Sequence, residues 1–154
     1  MVEDCFGDLG IEQADGSFQD LFEAQLVDEN KAPFSKGKLS NTSALESDFL
    51  PTVKGISVNT VHGTTHSITD FTKQNSTAQV ESMEGAAFFY VCLQEKITCL
   101  QIRSISNYVE KRDKSKWKIG LAIENLNSIA IEMIENLLTQ EPVKRKPPKR
   151  RYFQ

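Results

Sequence analysis

No stretch of this 154-residue chain approaches the roughly 20 consecutive apolar residues that a membrane span needs. The opening residues Met1, Val2, Glu3 and Asp4 lack the basic and apolar regions of a secretory signal. Cysteine is sparse. The three cysteines, Cys5, Cys92 and Cys99, are odd in number and show no metal-type spacing, so they read as reduced core thiols of a soluble cytoplasmic protein. There is no Gly-x-Ser-x-Gly elbow and no glycine-rich, lysine-bearing phosphate loop, which disfavours covalent acyl transfer and phosphoryl transfer. The two histidines, His62 and His66, stand four apart as a helical metal pair would, but Gly63 intervenes and no third ligand accompanies them. No metal and no cofactor are expected.

What is present is a chain of 39% hydrophobic content, within the range of one globular domain. Six of the eighteen basic residues crowd into residues 144–151, leaving residues 1–143 with 12 basic against 21 acidic, a net charge of −9. An acidic body disfavours general nucleic-acid binding. The domain therefore spans residues 1–139. Residues 140–154, with Pro142, Pro147 and Pro148 among like charges, are expected to be a disordered basic tail, either an electrostatic arm or a solvated extension.

The first fifty residues carry glycines among acidic residues and then Pro33, Gly37 and a polar run, which predicts loops with short extended pieces. Residues 55–61 alternate apolar and polar positions and are rich in β-branched residues, the pattern of a strand. A short helix is expected over 66–74, a strand over 78–81, a helix over 84–95 and a strand over 98–105. Ile123, Leu126, Ala130, Met133 and Leu137 recur at spacings of three and four, with Ile134 and Leu138 widening the face, so a long amphipathic helix should close the domain. Alternating strands and helices imply an α/β fold. In such sheets ligands bind beyond the carboxyl ends of strands, which directs attention to residues 62–65, 82–84 and 106–108.

Two stretches carry chemistry: VESMEGAA at 80–87 and LQIRSISN at 100–107. Glu84, at a helix start, has two acceptor oxygens that suit the vicinal hydroxyls of a ribose; read alone, it is equally a charge that offsets the helix dipole. Met83 is a soft apolar contact for a sugar ring, or core. Asn107 carries an amide with two hydrogens. A 6-oxopurine presents acceptors at N7 and O6, whereas a 6-aminopurine pairs an acceptor with a donor, so asparagine favours hypoxanthine over adenine. Asparagine is also a common turn residue after a strand. An arginine inside an apolar stretch, Arg103, requires a carboxylate or carbonyl partner.

These two stretches, in this order, resemble the nucleoside phosphorylase and hydrolase superfamily, whose methylthioadenosine/adenosylhomocysteine nucleosidases show a Met-Glu pair at a helix start and Arg-x-x-Ser-Asp at a strand end. With FGDLG at 6–10, Asp15-Gly16, YVEKRD at 108–113 and Trp117, the chain looks most similar to the futalosine hydrolase branch, over roughly residues 3–138. The resemblance implies a three-layer α/β/α fold whose N-terminal strands, with the acid that activates the attacking water, lie outside this chain. It implies Asn107 as the catalytic, purine-facing residue and Met83 and Glu84 as ribose contacts. Arg103 and Ser106 become supports for the purine-facing side chain, and Val61 part of the base-pocket wall. The implied activity is hydrolysis of futalosine to hypoxanthine and dehypoxanthine futalosine, in menaquinone biosynthesis, by a homo-oligomer acting on a small nucleoside. Asparagine has no acidic proton, so leaving-group activation would rest on hydrogen bonding or on protonation from elsewhere. The alternatives are a non-catalytic, nucleoside-binding or interaction module, and a methylthioadenosine/adenosylhomocysteine nucleosidase.

Overall fold

The computed structural model describes residues 1–41 and 50–139; the basic run at 144–151 lies outside them. The architecture is α/β. A central layer is built on β1 (Glu3–Asp4), which pairs antiparallel with β4 (Leu39–Ser40), Glu3 opposite Ser40. On its other side β1 meets β5 (Gly55–Ser57) in parallel, through bridges at Glu3 with Lys54 and Phe6 with Ser57. β5 in turn pairs in parallel with β6 (Val80–Ser82), Gly55 opposite Val80 and Ser57 opposite Ser82. The connection from β5 to β6 runs through helix α1 (Thr65–Gln74), the crossover that a parallel pair requires. A separate hairpin joins β2 (Gly10–Glu12) to β3 (Phe18–Asp20).

Successive residues of a strand point to opposite faces, and β5 uses both. Ile56 lies on the side of Gly7 and Phe71 of α1. Ser57 points the other way, to helix α2 (Gly85–Gln94), where its hydroxyl accepts the Ala86 N–H at 2.7 Å. Helices thus lie on both faces of the strands. On the α2 side, Phe89 and Ala86 pack with Leu39, Phe34 and Met1 to form the core.

The predicted strands are displaced where side chains take over the backbone's hydrogen bonds. The strand expected over 55–61 stops at Ser57, because the Asp8 carboxylate accepts the N–H groups of Asn59 and Thr60 at 2.6 and 2.7 Å and turns the chain. The strand expected over 98–105 joins no ladder among the described residues. Its carbonyls are taken individually: Cys99 O by the Asn41 side-chain amide at 2.8 Å, and Gln101 O by the Met1 ammonium at 2.7 Å. The long helix is α3 (Ile119–Thr139), but it covers the body with only one line of its apolar stripe. Ala122 is buried and Met133 lines an apolar cavity of about 170 Å3 with Leu100, Ile102 and Ile105, whereas Ile123, Ile134 and Leu138 remain exposed.

The first turn of α2 stands on a buried carboxyl. Asp4 is fully enclosed, its Oδ1 accepts the Ser57 hydroxyl at 3.1 Å and the Cys5 N–H at 2.9 Å, and its Oδ2 has no hydrogen-bond partner. A Cβ on Gly85 would overlap that Oδ2, so only glycine lets the helix start this close. Burial pushes the Asp4 carboxyl up to about 6, while Ser57, the Cys5 N–H, Arg103 and the chain's amino terminus pull it down.

Because the folded value is raised, the folded protein binds the proton more tightly than the unfolded chain. Stability is full below the unfolded carboxylate value and is lost as pH rises through about 6. Asp4→Asn removes this dependence. Between about pH 4 and about pH 7 the variant should gain on the wild type by about 3 kcal/mol in urea unfolding. A difference that stays constant across that range overturns the assignment.

Candidate functional site

An open cleft of about 490 Å3 lies beyond β6, lined by residues 79–84, 103–109, Val61 and Trp117. All six side chains singled out from the sequence, Val61, Met83, Glu84, Arg103, Ser106 and Asn107, border it. Residues 80–87 fold as a strand, a tight turn and a helix start. Ser82 closes the turn by accepting the Gly85 N–H at 3.1 Å, which leaves Met83 and Glu84 at the mouth. Met83 is half exposed there, as an apolar contact for a ligand would be.

Glu84 caps α2 without spending its carboxylate on the helix: no side-chain bond to the backbone forms. It stands in solvent, with Arg103 Nη1 3.7 Å from Oε2. Arg103 is in turn held by Gln101, whose Oε1 accepts its Nη2 at 3.0 Å, and Gln101 is anchored by donating to Gly85 O at 2.8 Å. The partner that the arginine required is therefore both a carbonyl and a carboxylate. Arg103 thus faces Glu84, and its hydrogen bond goes to Gln101.

Asn107 is oriented by its neighbours. The Ser106 hydroxyl donates to Oδ1 at 2.7 Å, and Nδ2 donates to Tyr108 O at 2.9 Å. One amide hydrogen is thereby committed, and one is left to face a ligand. The loop carrying these residues is tied down at two points: Lys118 N–H donates to Ser106 O at 2.8 Å, and Arg112 N–H to Gly63 O at 3.1 Å. Arg112 also lies over the Trp117 ring, 5.2 Å from its centroid, which stiffens the cleft's far wall.

Behind Asn107 is a recess of about 30 Å3, bordered by Val61, His62, Glu81, Tyr108, Arg112 and Trp117 among others. Glu81 belongs to it by strand alternation: Val80 packs on the core and Ser82 faces Ser57, so the side chain between them points away from both. Burial raises its carboxyl above the usual range; His62 lowers it and the Asp8 carboxylate raises it further. Sequence reasoning did not single out Glu81, Asp8 or Trp117 as site residues. Asp8 sits in a glycine-flanked loop that reads as a turn, yet it fixes the chain that presents Val61 and His62. The two histidines part company: His66 pairs with Asp70 on α1 at 3.3 Å, while His62 packs on Phe71.

Residues 11–135 match the family model described as the Phosphorylase superfamily. The chain is also similar to a futalosine hydrolase from Thermus thermophilus, 37% identical over 71 residues, which is 46% of this chain and 30% of the relative. The match thus spans about a third of the relative's length. No solved structure matches. No helix among the described residues is long and apolar enough to cross a membrane.

Removing the Asp8 carboxylate should loosen the loop that it holds. Asp8→Ala is expected to speed hydrogen exchange at the amides of Asn59 and Thr60 by roughly 10-fold or more, the loss of charge-assisted hydrogen bonds. Unchanged protection at both amides would show that the loop is held by something else.

Proposed function

Because the chain belongs to the Phosphorylase superfamily, we propose that its cleft takes a purine nucleoside and serves the hydrolysis of the N-glycosidic bond, with futalosine, a hypoxanthine nucleoside, as the substrate. The observation that carries this reading is the convergence of Met83, Glu84, Arg103, Ser106, Asn107 and Val61 on one cleft of nucleoside size. Glu84 accepts hydrogen bonds from the ribose hydroxyls, Met83 packs on the sugar, and Arg103 fixes the carboxylate. Val61 walls the base.

Cleaving the bond builds positive charge on the sugar and negative charge on the departing purine. Asn107 answers the second. With Oδ1 accepting from Ser106 and one Nδ2 hydrogen given to Tyr108 O, the amide keeps one hydrogen and one lone pair; turned donor-first, it matches a 6-oxopurine and opposes the exocyclic amine of adenine. The identity with a futalosine hydrolase supports the same choice of base. The protein is expected to act as a homo-oligomer on a small molecule, without metal or cofactor.

The test is direct. Joined to the strands that carry the water-activating acid, the chain should release hypoxanthine from futalosine, followed by chromatography, and little base from adenine nucleosides; the chain alone should release little. Binding without release supports a nucleoside-binding module instead, and neither binding nor release overturns the reading. Asn107→Asp should move the preference toward adenine nucleosides by about 10-fold or more in kcat/KM, since a carboxyl group offers the donor and acceptor that adenine needs. An unchanged ratio overturns the role given to the amide.

A further inference from the structure

The Asn107 amide is one hydrogen short. A 6-oxopurine offers two acceptors on its reading edge, N7 and O6, and of the two Nδ2 hydrogens one is already donated to Tyr108 O. A second donor is required, and one that can part with its proton, because an amide can stabilise a leaving anion but cannot neutralise it. Among the titratable groups that border the recess adjoining Asn107, Glu81 and His62 are the two drawn from strand β6 and the loop after β5. The His62 Nε2 is buried and without a hydrogen-bond partner. The cleft and the recess share Val61, Glu81, Asn107, Tyr108, Val109 and Trp117, so the carboxyl borders both.

We propose that Glu81 is the general acid of the site, giving its proton to purine N7 as the base departs while Asn107 donates to O6, and that His62 returns the proton to the carboxylate. The inference rests on the nucleosidase reading and supplies the acid that Asn107 cannot be. In the step, the bond from C1′ to N9 breaks and its electron pair passes to the purine. The Glu81 O–H bond breaks and a bond from N7 to that hydrogen forms. Water adds to C1′ through oxygen and sheds one proton to solvent. Glu81 regains one proton from solvent by way of His62, so a nucleoside and a water become a free base and a free sugar. Burial and, more weakly, the neighbouring Asp8 carboxylate raise the Glu81 carboxyl toward the protonated form that an acid needs, against the lowering effect of His62. The charged groups facing the carboxyl are His62 and Asp8, with Glu110, Lys111, Arg112 and Asp113 along the recess wall.

The test compares futalosine with the same nucleoside methylated at N7, whose base is already cationic in the nucleoside, departs neutral when it takes the C1′–N9 electron pair, and so needs no proton. In the wild-type protein, kcat for futalosine should fall as pH rises through the Glu81 value, because only the protonated carboxyl donates. Glu81→Gln should lower kcat for futalosine by about 100-fold or more and abolish that limb, while the methylated substrate loses no more than a few-fold. Glu81→Asp should recover part of the lost rate. Equal losses on both substrates would make Glu81 a structural residue, and no loss on either would remove it from the reaction; each overturns the proposal. A protein that carries this chain together with the water-activating acid and still cleaves neither substrate overturns the nucleosidase reading, and the acid role with it.

Discussion

The buried carboxyl of Asp4 is the point on which three elements agree. It belongs to β1, takes the hydroxyl of Ser57 from β5, and through that hydroxyl reaches the Ala86 N–H at the start of α2. A helix start leaves N–H groups without partners inside the helix, and here the first two are met by Ser82 and Ser57. Placing an acid under them suits the positive end of the helix dipole. The cost is a desolvated carboxyl with one oxygen unpaired, tolerable only because Gly85 lacks the Cβ that would collide with it. Glu84 precedes that glycine directly, so the position of the cleft's outer carboxylate follows from the packing of α2 on the strands.

Within the cleft, neighbouring side chains set what each functional group can still offer. Ser106 and Tyr108 flank Asn107 in sequence and hold both ends of its amide, leaving a four-site group one hydrogen and one lone pair to offer. Gln101 does the same for Arg103, orienting the guanidinium so that its remaining edge faces Glu84. Loops carry these groups, yet they are not loose. Asp8, Gly63 and Lys118 each pin a loop backbone at a defined point, as a binding site requires if it is to be formed before its ligand arrives.

The long helix was legible because a period of 3.6 residues survives in the run ending near Leu138, and the helices expected over 66–74 and 84–95 also lie within a residue of α1 and α2. The strands were less so. At two or three residues, β1 to β4 are too short to show alternation, and their pairing depends on partners far away in the chain. Residues 98–105 have strand composition but find side chains and the amino terminus where a neighbouring strand would be, a tertiary fact with no local signal. The site residues that belong to a motif, Met83 with Glu84 and Arg103 with Ser106 and Asn107, could be picked out together. Asp8 and Glu81 could not, since a turn aspartate and a strand glutamate are ordinary at such positions until folding encloses one and directs the other.

Residues 80–87 place two carboxylates three positions apart and give them different surroundings. In a strand, Glu81 points away from the α2 face and into the recess behind Asn107. After the Ser82 turn, Glu84 emerges at the helix cap, in solvent and beside an arginine. A hydrogen-bond acceptor for sugar hydroxyls belongs in the second setting, where charge is matched and water is at hand. A proton donor to a departing base belongs in the first, where burial opposes ionisation. The change from strand to helix is what separates them. A continuous helix would put residues three apart on the same face, and a continuous strand would put them on opposite faces of the sheet and not on one cleft. The glycine that admits Asp4 also allows the helix to begin at that point, so the buried acid of β1 and the division of labour in the cleft follow from one local constraint.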